Sequence, residues 1–148
     1  MYTTLISSAA AAQQLTNTSW VFVDCRYDLH DQTWGRQQYV AGHIPGAVYA
    51  SLSHDLAGPM TGHNGRHPMP EVKDIAATFG RLGISAATQV VIYDQDAGMY
   101  ASRMWWMLRY LGHDAAAVLD GGFAKWMAEG RPTRVGEESR PPATFTPQ

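Results

Sequence analysis

Apolar residues along this chain fall into short continuous runs that predict buried strands. The runs cover Trp20–Asp24, Gln89–Tyr93 and Ala116–Leu119 and are rich in β-branched or small apolar residues. They are apolar almost throughout instead of alternating with polar positions, which is typical of strands that helices cover on both faces. The pattern therefore indicates a sheet in the interior of the protein.

Helical spacing of apolar residues occurs between these runs. After Pro70, which suits a first helical turn, spacings of three and four predict a helix that ends at Gly83. Its apolar face consists of Val72, Ile75, Phe79 and Leu82. Another helix is predicted from about Tyr100 to Leu111, with short ones after Ser8 as N-cap and around Trp126. Strands that alternate with helices predict an α/β fold with a central, mainly parallel sheet flanked by helices on both faces.

Two segments lack such periodicity. The stretch from Gly42 to Pro70 is rich in glycine and proline, which predicts a long surface connection with short structured pieces. Residues after Arg131 form a polar, proline-rich tail that is typical of a linker. A chain of 148 residues has room for one ordinary domain with a core. We place that domain at residues 1–131 and the tail at 132–148.

Composition excludes several classes of function. A net charge of −2 gives no basic field, so we expect neither nucleic acid nor membrane partners. The single cysteine, Cys25, excludes an internal disulfide and an all-cysteine metal site, and it fits a reducing compartment. The N-terminal residues contain no basic and apolar leader pattern, so a cytoplasmic location is expected. No pattern predicts a metal or a cofactor.

Six short motifs carry a resemblance to a known family. They are Val23–Arg26, Ala41–Val48 with the sequence AGHIPGAV, Gly65–Pro70 with GRHPMP, Val90–Asp94, Ala101–His113 and Leu119–Trp126. In this order the chain resembles the N-terminal domain of the tandem-domain sulfurtransferases, the rhodaneses and mercaptopyruvate sulfurtransferases. The resemblance covers nearly the whole chain and implies a rhodanese-like fold.

The resemblance also implies that two domains have different roles in catalysis. In that family the C-terminal domain carries a cysteine that accepts a sulfane sulfur from thiosulfate or mercaptopyruvate and passes it to cyanide or another thiophile. The N-terminal domain lacks this nucleophile and often has an aspartate in its place, which Asp94 matches. The implied partners are a C-terminal catalytic rhodanese domain and a small anionic sulfur donor. The tail after Arg131 resembles the start of the interdomain linker.

The chemistry of Asp94 leads to the same expectation. A sulfur acceptor needs a polarisable thiolate, which backbone N–H groups at a helix N-terminus stabilise. A carboxylate is a hard anion that forms no persulfide, but it accepts the same N–H hydrogen bonds. We therefore expect Asp94 to fill the anion site and the isolated chain to be inactive.

Candidate substrate or interface residues lie near this loop. Ligands in parallel α/β sheets bind beyond the carboxyl ends of the strands, which favours the loop Asp94–Tyr100 and the following Arg103. Arg66 and His67 are candidates for contact with an anionic donor. His67 matches a histidine that the mercaptopyruvate enzymes use with an aspartate and a serine, but the segment Ser51–Ser53 lacks that aspartate.

Other interpretations remain open on the sequence. The chain could be a stand-alone, non-enzymatic rhodanese-like binding module that uses the Asp94–Tyr100 loop or the Trp105 and Trp106 region. It could also carry sulfur on Cys25, although a buried structural thiol is the preferred interpretation. One of the two tryptophans is expected in the core and the other at an interface, because neighbours in a helix do not share a face. Three further interpretations are a structural role for His43, an ion pair between Asp24 and Arg26, and, less favoured, metal binding by His54, His63 and His67.

Overall fold

Five parallel strands form one central sheet in the computed structural model, which describes all 148 residues, Met1–Gln148. The strands are β1 Leu5–Ile6, β2 Trp20–Asp24, β3 Val48–Tyr49, β4 Gln89–Tyr93 and β5 Ala116–Leu119. Their order across the sheet is β1-β5-β4-β2-β3, and every neighbouring pair is parallel. The two longest strands, β2 and β4, therefore lie next to each other near the centre of the sheet.

Helices cover both faces of this sheet. They are α1 Ser8–Ala12, α2 Trp34–Ala41, α3 Val72–Arg81, α4 Ala101–Tyr110 and α5 Gly122–Ala128. One face packs against α3 and α4 through residues such as Phe79 and Met104, and the other packs against α1 and α5 through Ala11 and Trp126. The predicted α/β fold with a parallel sheet between two helical layers is confirmed.

Three elements and one cap were not predicted correctly. Strands β1 and β3 have two residues each, too few to show a pattern. Helix α2 buries only Gly35 and Tyr39, which is too few positions to form an apolar helical face. A Cβ at position 35 would lie 1.9 Å from the Arg26 carbonyl oxygen, so glycine lets α2 pack against that backbone. The N-cap of α1 is Ser7, which accepts the Ala10 N–H, and not Ser8.

The segment from Gly42 to Pro70 is less superficial than expected. Its first part contributes several buried residues to the core, so the prediction of a surface connection is wrong there. These residues are Ile44, Ala47, Val48, Ala50, Leu52 and Leu56. The second part, residues 59–66, is exposed as predicted.

Residues 132–148 pack along the domain. The backbone of Arg134 pairs with that of His43, and the Ala143 N–H donates to the Gly80 carbonyl oxygen. Phe145 is 8% exposed and is part of the larger core. The tail therefore contributes to the packed unit beyond residue 131, and its use as an interdomain linker stays a prediction. None of the five helices has the length and apolar content that crossing a bilayer requires.

Candidate functional site

The carboxylate of Asp94 is buried at the carboxyl end of β4 and is surrounded by backbone donors. Asp94 is 1% exposed. One oxygen, Oδ1, accepts the N–H groups of Asp96 at 3.1 Å and Gly98 at 3.0 Å. The other, Oδ2, accepts those of Tyr100 at 2.8 Å and Ala101 at 3.1 Å. The loop from 94 to 101 thus wraps around one internal anion.

The position of this carboxylate follows from the fold. Tyr100 and Ala101 lie at the N-terminus of α4, where backbone N–H groups have no partner within the helix and the helix dipole favours negative charge. The Asp94 carbonyl oxygen also accepts the Phe123 N–H at 2.9 Å, which joins the loop to the start of α5. A Cβ at Gly122 would lie 2.7 Å from the Asp96 carbonyl oxygen, so the loop and α5 meet closely. We call the four N–H groups of Asp96, Gly98, Tyr100 and Ala101 the anion cradle. Its occupation by the Asp94 carboxylate has the geometry that the sequence predicts.

An aromatic cluster lies beside the Asp94 loop. The buried ring of Tyr27 stands edge-on to His67, with centroids 5.9 Å apart, and to Tyr100, with centroids 5.6 Å apart. Two residues proposed from the sequence, His67 and Tyr100, are therefore brought together by one that was missed. Tyr27 follows the carboxyl end of β2, and the strand-end argument that selected Asp94 applies to it equally.

His67 is held in its neutral form near pH 7. Partial burial lowers its pKa below the ordinary value of 6.5, and the positive charges of Arg103 and Arg66 lower it further. A neutral imidazole has one ring nitrogen free to accept a hydrogen bond or a proton. Arg66 itself is exposed and forms neither a salt bridge nor a side-chain hydrogen bond. These two side chains are therefore available to an external molecule.

Arg103 has a structural role. Its Nη2 donates to the carbonyl oxygens of Leu56 at 2.9 Å and Pro68 at 3.3 Å. Its buried Nε has no partner, and burial lowers the pKa of the guanidinium. The arginine therefore fixes the loop that carries His67, and a contact between its guanidinium and an anionic donor stays a prediction.

Cys25 is a buried thiol of the core. It is 1% exposed, and its Sγ lies 3.8 Å from the Met104 Sδ. Burial raises the pKa of this thiol well above its ordinary value, and the negative charges of Asp24, Asp94 and Asp55 raise it further. Because the thiolate is the nucleophile, the chain has no accessible sulfur nucleophile, and the interpretation of Cys25 as a structural residue is confirmed.

Two further structural interpretations are confirmed. Arg26 binds the buried Asp24 carboxylate through Nε and Nη2, the latter at 2.7 Å, and its guanidinium lies 4.0 Å from the Phe123 ring centroid. His43 is fully buried and binds the Tyr39 carbonyl oxygen through Nδ1. Both groups brace the backbone near the site and face no solvent.

Metal binding and the tryptophan pair are settled by the side-chain positions. No three His, Cys, Asp or Glu side chains are grouped closely enough to hold a metal ion. The indole N–H of Trp105 donates to the carbonyl oxygens of Thr3 and Ala116, while Trp106 is 50% exposed. The inward position of Trp105 agrees with the expectation for one tryptophan, and an interface role for Trp106 stays a prediction.

A separate cavity lies elsewhere on the chain. It has a volume of about 660 Å³ and runs along one face of α2, towards His54 and Glu137. Neither Asp94 nor His67 lines it. The candidate site is therefore a surface at the carboxyl end of the sheet, built from the Asp94 loop, Tyr27, Arg66, His67 and Tyr100.

Comparisons with known proteins show which family the chain resembles. The rhodanese-like domain family matches residues 7–129. A Pseudomonas aeruginosa protein named as a probable 3-mercaptopyruvate sulfurtransferase is 38% identical over 146 residues, which cover 97% of this chain and 51% of the relative. The thiosulfate sulfurtransferase of Bos taurus is 41% identical over 115 residues, which cover 74% of this chain and 37% of the relative.

A solved structure gives the same result in three dimensions. The 3-mercaptopyruvate sulfurtransferase from Leishmania major matches with a TM-score of 0.86 at 31% identity, over 97% of this chain and 39% of that one. The chain spans about half, or less, of the length of the curated relatives that it matches.

Proposed function

The chain belongs to the rhodanese-like domain family, and from this membership we propose that it is the domain without the catalytic cysteine in a two-domain sulfurtransferase. In this proposal a second, cysteine-bearing rhodanese-like domain forms the persulfide. The present domain covers that sulfur and helps to bind an anionic donor of the thiosulfate or 3-mercaptopyruvate class. The relatives' names support the reaction class, and their greater length supports the existence of a second domain.

The observation that carries the proposal is the occupied anion cradle of Asp94. A rhodanese-type sulfur acceptor needs a thiolate that is stabilised by backbone N–H groups at a helix N-terminus. Here four backbone N–H groups, two from the loop and two from the start of α4, bind a carboxylate of the chain itself. Because a carboxylate forms no persulfide and Cys25 is buried, the chemistry requires a thiol from another domain.

The exposed part of the site suits an auxiliary role. Arg66 supplies a positive charge without a partner, and the neutral His67 supplies a hydrogen-bond acceptor beside the Tyr27 ring. Thiosulfate and mercaptopyruvate are anions, so a free guanidinium at the rim of a cleft favours their binding. A second domain placed over this surface would exclude water from the persulfide and protect it from side reactions.

A fusion protein tests this proposal. The half of the Pseudomonas aeruginosa relative that this chain does not match is joined after Gln148, and transfer of sulfur to cyanide is measured with thiosulfate and with mercaptopyruvate. We expect no activity above background for the 148-residue chain and activity for the fusion that exceeds that of the added half alone. Turnover by the unfused chain, or equal activity of the fusion and the added half, would contradict the proposal.

Substitutions within the active fusion test the donor contact. Arg66→Ala removes the unpaired cation and is expected to raise the KM for the donor about tenfold, because one charge-assisted contact is worth about 1.5 kcal/mol. Lys73→Ala removes an equally exposed cation on α3 and serves as the matched control, with an unchanged KM. An Arg66→Ala variant with the KM of the parent would remove this residue from the site.

The alternative is a stand-alone rhodanese-like module that binds a protein and performs no chemistry. It predicts that no cysteine-bearing domain restores transfer when it is fused to this chain. The fusion experiment therefore distinguishes the two functions directly.

A further inference from the structure

An exposed apolar stripe runs along the outer face of α4. Met99, Trp106 and Tyr110 are 70%, 50% and 54% exposed. A spacing of four places Trp106 and Tyr110 on one side of α4, while Met99 lies in the loop just before the helix begins. From Met99 to Tyr110 the chain extends over about 16 Å. The rings of Trp106 and Tyr110 are stacked, with centroids 5.1 Å apart and planes inclined by 7°. We call Met99, Trp106 and Tyr110 the α4 stripe.

The α4 stripe is not explained by the packing of the domain itself. The inner side of α4 already buries Met104, Met107 and Leu108 against the sheet. Trp106 and Tyr110 are the most exposed aromatic side chains of the chain, and their stacking holds two large rings in a fixed arrangement in solvent. Tryptophan and tyrosine contribute most strongly to protein interfaces when a partner covers them. The geometry is that of a contact surface with its partner removed.

We propose that the α4 stripe is the surface on which the second, cysteine-bearing domain docks. The inference rests on the proposed function and specifies which face of this domain its partner covers. Two features of the structure, one at each end of α4, select this occupant over an unrelated protein.

The first feature is continuity with the candidate site. Met99 belongs to the loop that binds the Asp94 carboxylate, and the next residue, Tyr100, is part of the aromatic cluster with His67. A domain that covers this cluster therefore reaches the α4 stripe without a gap. The stripe extends the proposed catalytic cleft into an apolar contact.

The second feature is the path of the tail. The N–H of Gln148 donates to the carbonyl oxygen of Leu111 at 3.0 Å, and a Cβ built at Gly112 would lie 2.8 Å from the Gln148 Cβ. Residues that follow Gln148 in a longer protein thus leave the domain beside the C-terminal end of α4. A domain tethered at this end and reaching the Asp94 loop at the other must lie along α4, and the roughly 16 Å span is well within the diameter of a small domain.

Side-chain footprinting tests the docking surface without relying on activity. Hydroxyl-radical oxidation is quantified by mass spectrometry for the 148-residue chain and for its fusion to the unmatched half of the Pseudomonas aeruginosa relative. We expect the oxidation rates of Met99, Trp106 and Tyr110 to fall by about fivefold or more in the fusion, as for the buried centre of an interface. Met127, which is 51% exposed on α5 across the sheet, is the matched control and is expected to keep its rate.

A paired substitution provides a second readout. Trp106→Ser with Tyr110→Ser is expected to weaken binding of the separately expressed second half by at least about thirtyfold, since two aromatic anchors at an interface contribute about 2 kcal/mol or more. Met127→Ser is expected to leave binding unchanged. Both changes are at exposed positions, so thermal unfolding of the isolated chain should remain close to that of the parent.

The outcomes separate the two proposals. Unchanged oxidation of Trp106 and Tyr110 in a fusion that transfers sulfur overturns the docking surface and leaves the proposed function intact. Protection of Trp106 and Tyr110 from oxidation in a fusion that transfers no sulfur supports the docking surface and contradicts the proposed function. Protection that arises in the isolated chain as its concentration rises assigns the α4 stripe to a second copy of the chain and overturns the inference.

Discussion

His43 Nε2 lies 2.6 Å from the Glu138 Oε2, although the two residues are 95 positions apart in the sequence. The other ring nitrogen of His43 faces the Tyr39 carbonyl oxygen at 2.8 Å. The same Glu138 oxygen accepts the Gly46 N–H, and Arg134 binds the second oxygen at 2.6 Å. One carboxylate therefore fastens the tail to the turn that contains His43.

Removal of this carboxylate should loosen the tail. Glu138→Ala leaves the buried His43 nitrogen and the Gly46 N–H without their acceptor, so we expect a loss of about 2 kcal/mol in the free energy of unfolding. Chemical denaturation measures the loss, and trypsin should cut more rapidly after Arg134, which Val135 follows. Glu137→Ala, which breaks only an exposed pair with Arg36, is the control and should cost less than about 0.5 kcal/mol. Equal effects of the two changes would refute the structural role of Glu138.

Asp94 should be a major determinant of stability. Asp94→Ala removes the acceptor of four N–H groups at a buried position, and we expect a loss of roughly 3 kcal/mol in the free energy of unfolding. Asp96→Ala is the matched control in the same loop, because the Asp96 side chain is exposed and accepts only the Ala97 N–H. Denaturation of both variants in urea provides the comparison. A stable Asp94→Ala protein would mean that the loop finds other acceptors.

A cysteine placed in the cradle should ionise easily. In Asp94→Cys the backbone N–H groups and the N-terminus of α4 stabilise a thiolate, so we expect a thiol pKa at least about one unit below the usual 8.5. Thiolate absorbance in the ultraviolet, followed against pH, gives the value. The parent chain, whose Cys25 is buried with a raised pKa, is its own control and should show no titration below pH of about 9. An ordinary or raised pKa in the variant would show that the cradle does not favour a sulfur anion.

The domain should lose stability in mildly acidic solution through His113. This histidine is buried, its Nε2 bonds the Thr88 carbonyl oxygen, and burial lowers its pKa below 6.5. Below pH 6.5 the unfolded chain therefore binds a proton at His113 that the folded chain does not bind. The contribution of His113 to the free energy of unfolding is fully present above pH 6.5 and decreases as the pH falls towards the folded pKa. The slope contributed by one such group is at most about 1.4 kcal/mol per pH unit. Unfolding measured between about pH 7.5 and 5.5 should show a smaller slope for His113→Gln, and an unchanged slope would assign the effect to other groups.

The sequence predicts the parts of the fold that carry their own pattern. Strands β2, β4 and β5 and helices α3 and α4 are marked by apolar runs or helical spacing, and all are present. Helix α2 could not be found in this way, because only Gly35 and Tyr39 are buried and Val40, an apolar residue, is exposed. Strands β1 and β3 exist because β5 and β2 provide hydrogen-bonding partners, and no local signal marks two residues as a strand.

The candidate site was likewise predictable from the sequence only in part. Asp94 was predictable because it follows a long apolar strand and precedes a helix, and His67 was predictable from its motif. The contact of both neighbourhoods with Tyr27 depends on how β2 and β4 pair, which the sequence does not specify. The structural role of Arg103 likewise depends on a loop that lies 35 to 47 positions away.

The order of the strands also determines when the fold can be completed during synthesis. The first strand, β1, has only β5 as a neighbour, and the central pair β2 and β4 is separated by a connection that includes β3 and α3. The ribosome must therefore release most of the chain, up to β5, before the N-terminal strand acquires its hydrogen bonds. It must also release the tail before Phe145 can enter the core. Contacts of such long range slow folding, because the chain loses loop entropy before it gains contact energy. Until then the apolar strands β2 and β4 lack their full cover, and uncovered apolar strands of an incomplete fold promote aggregation.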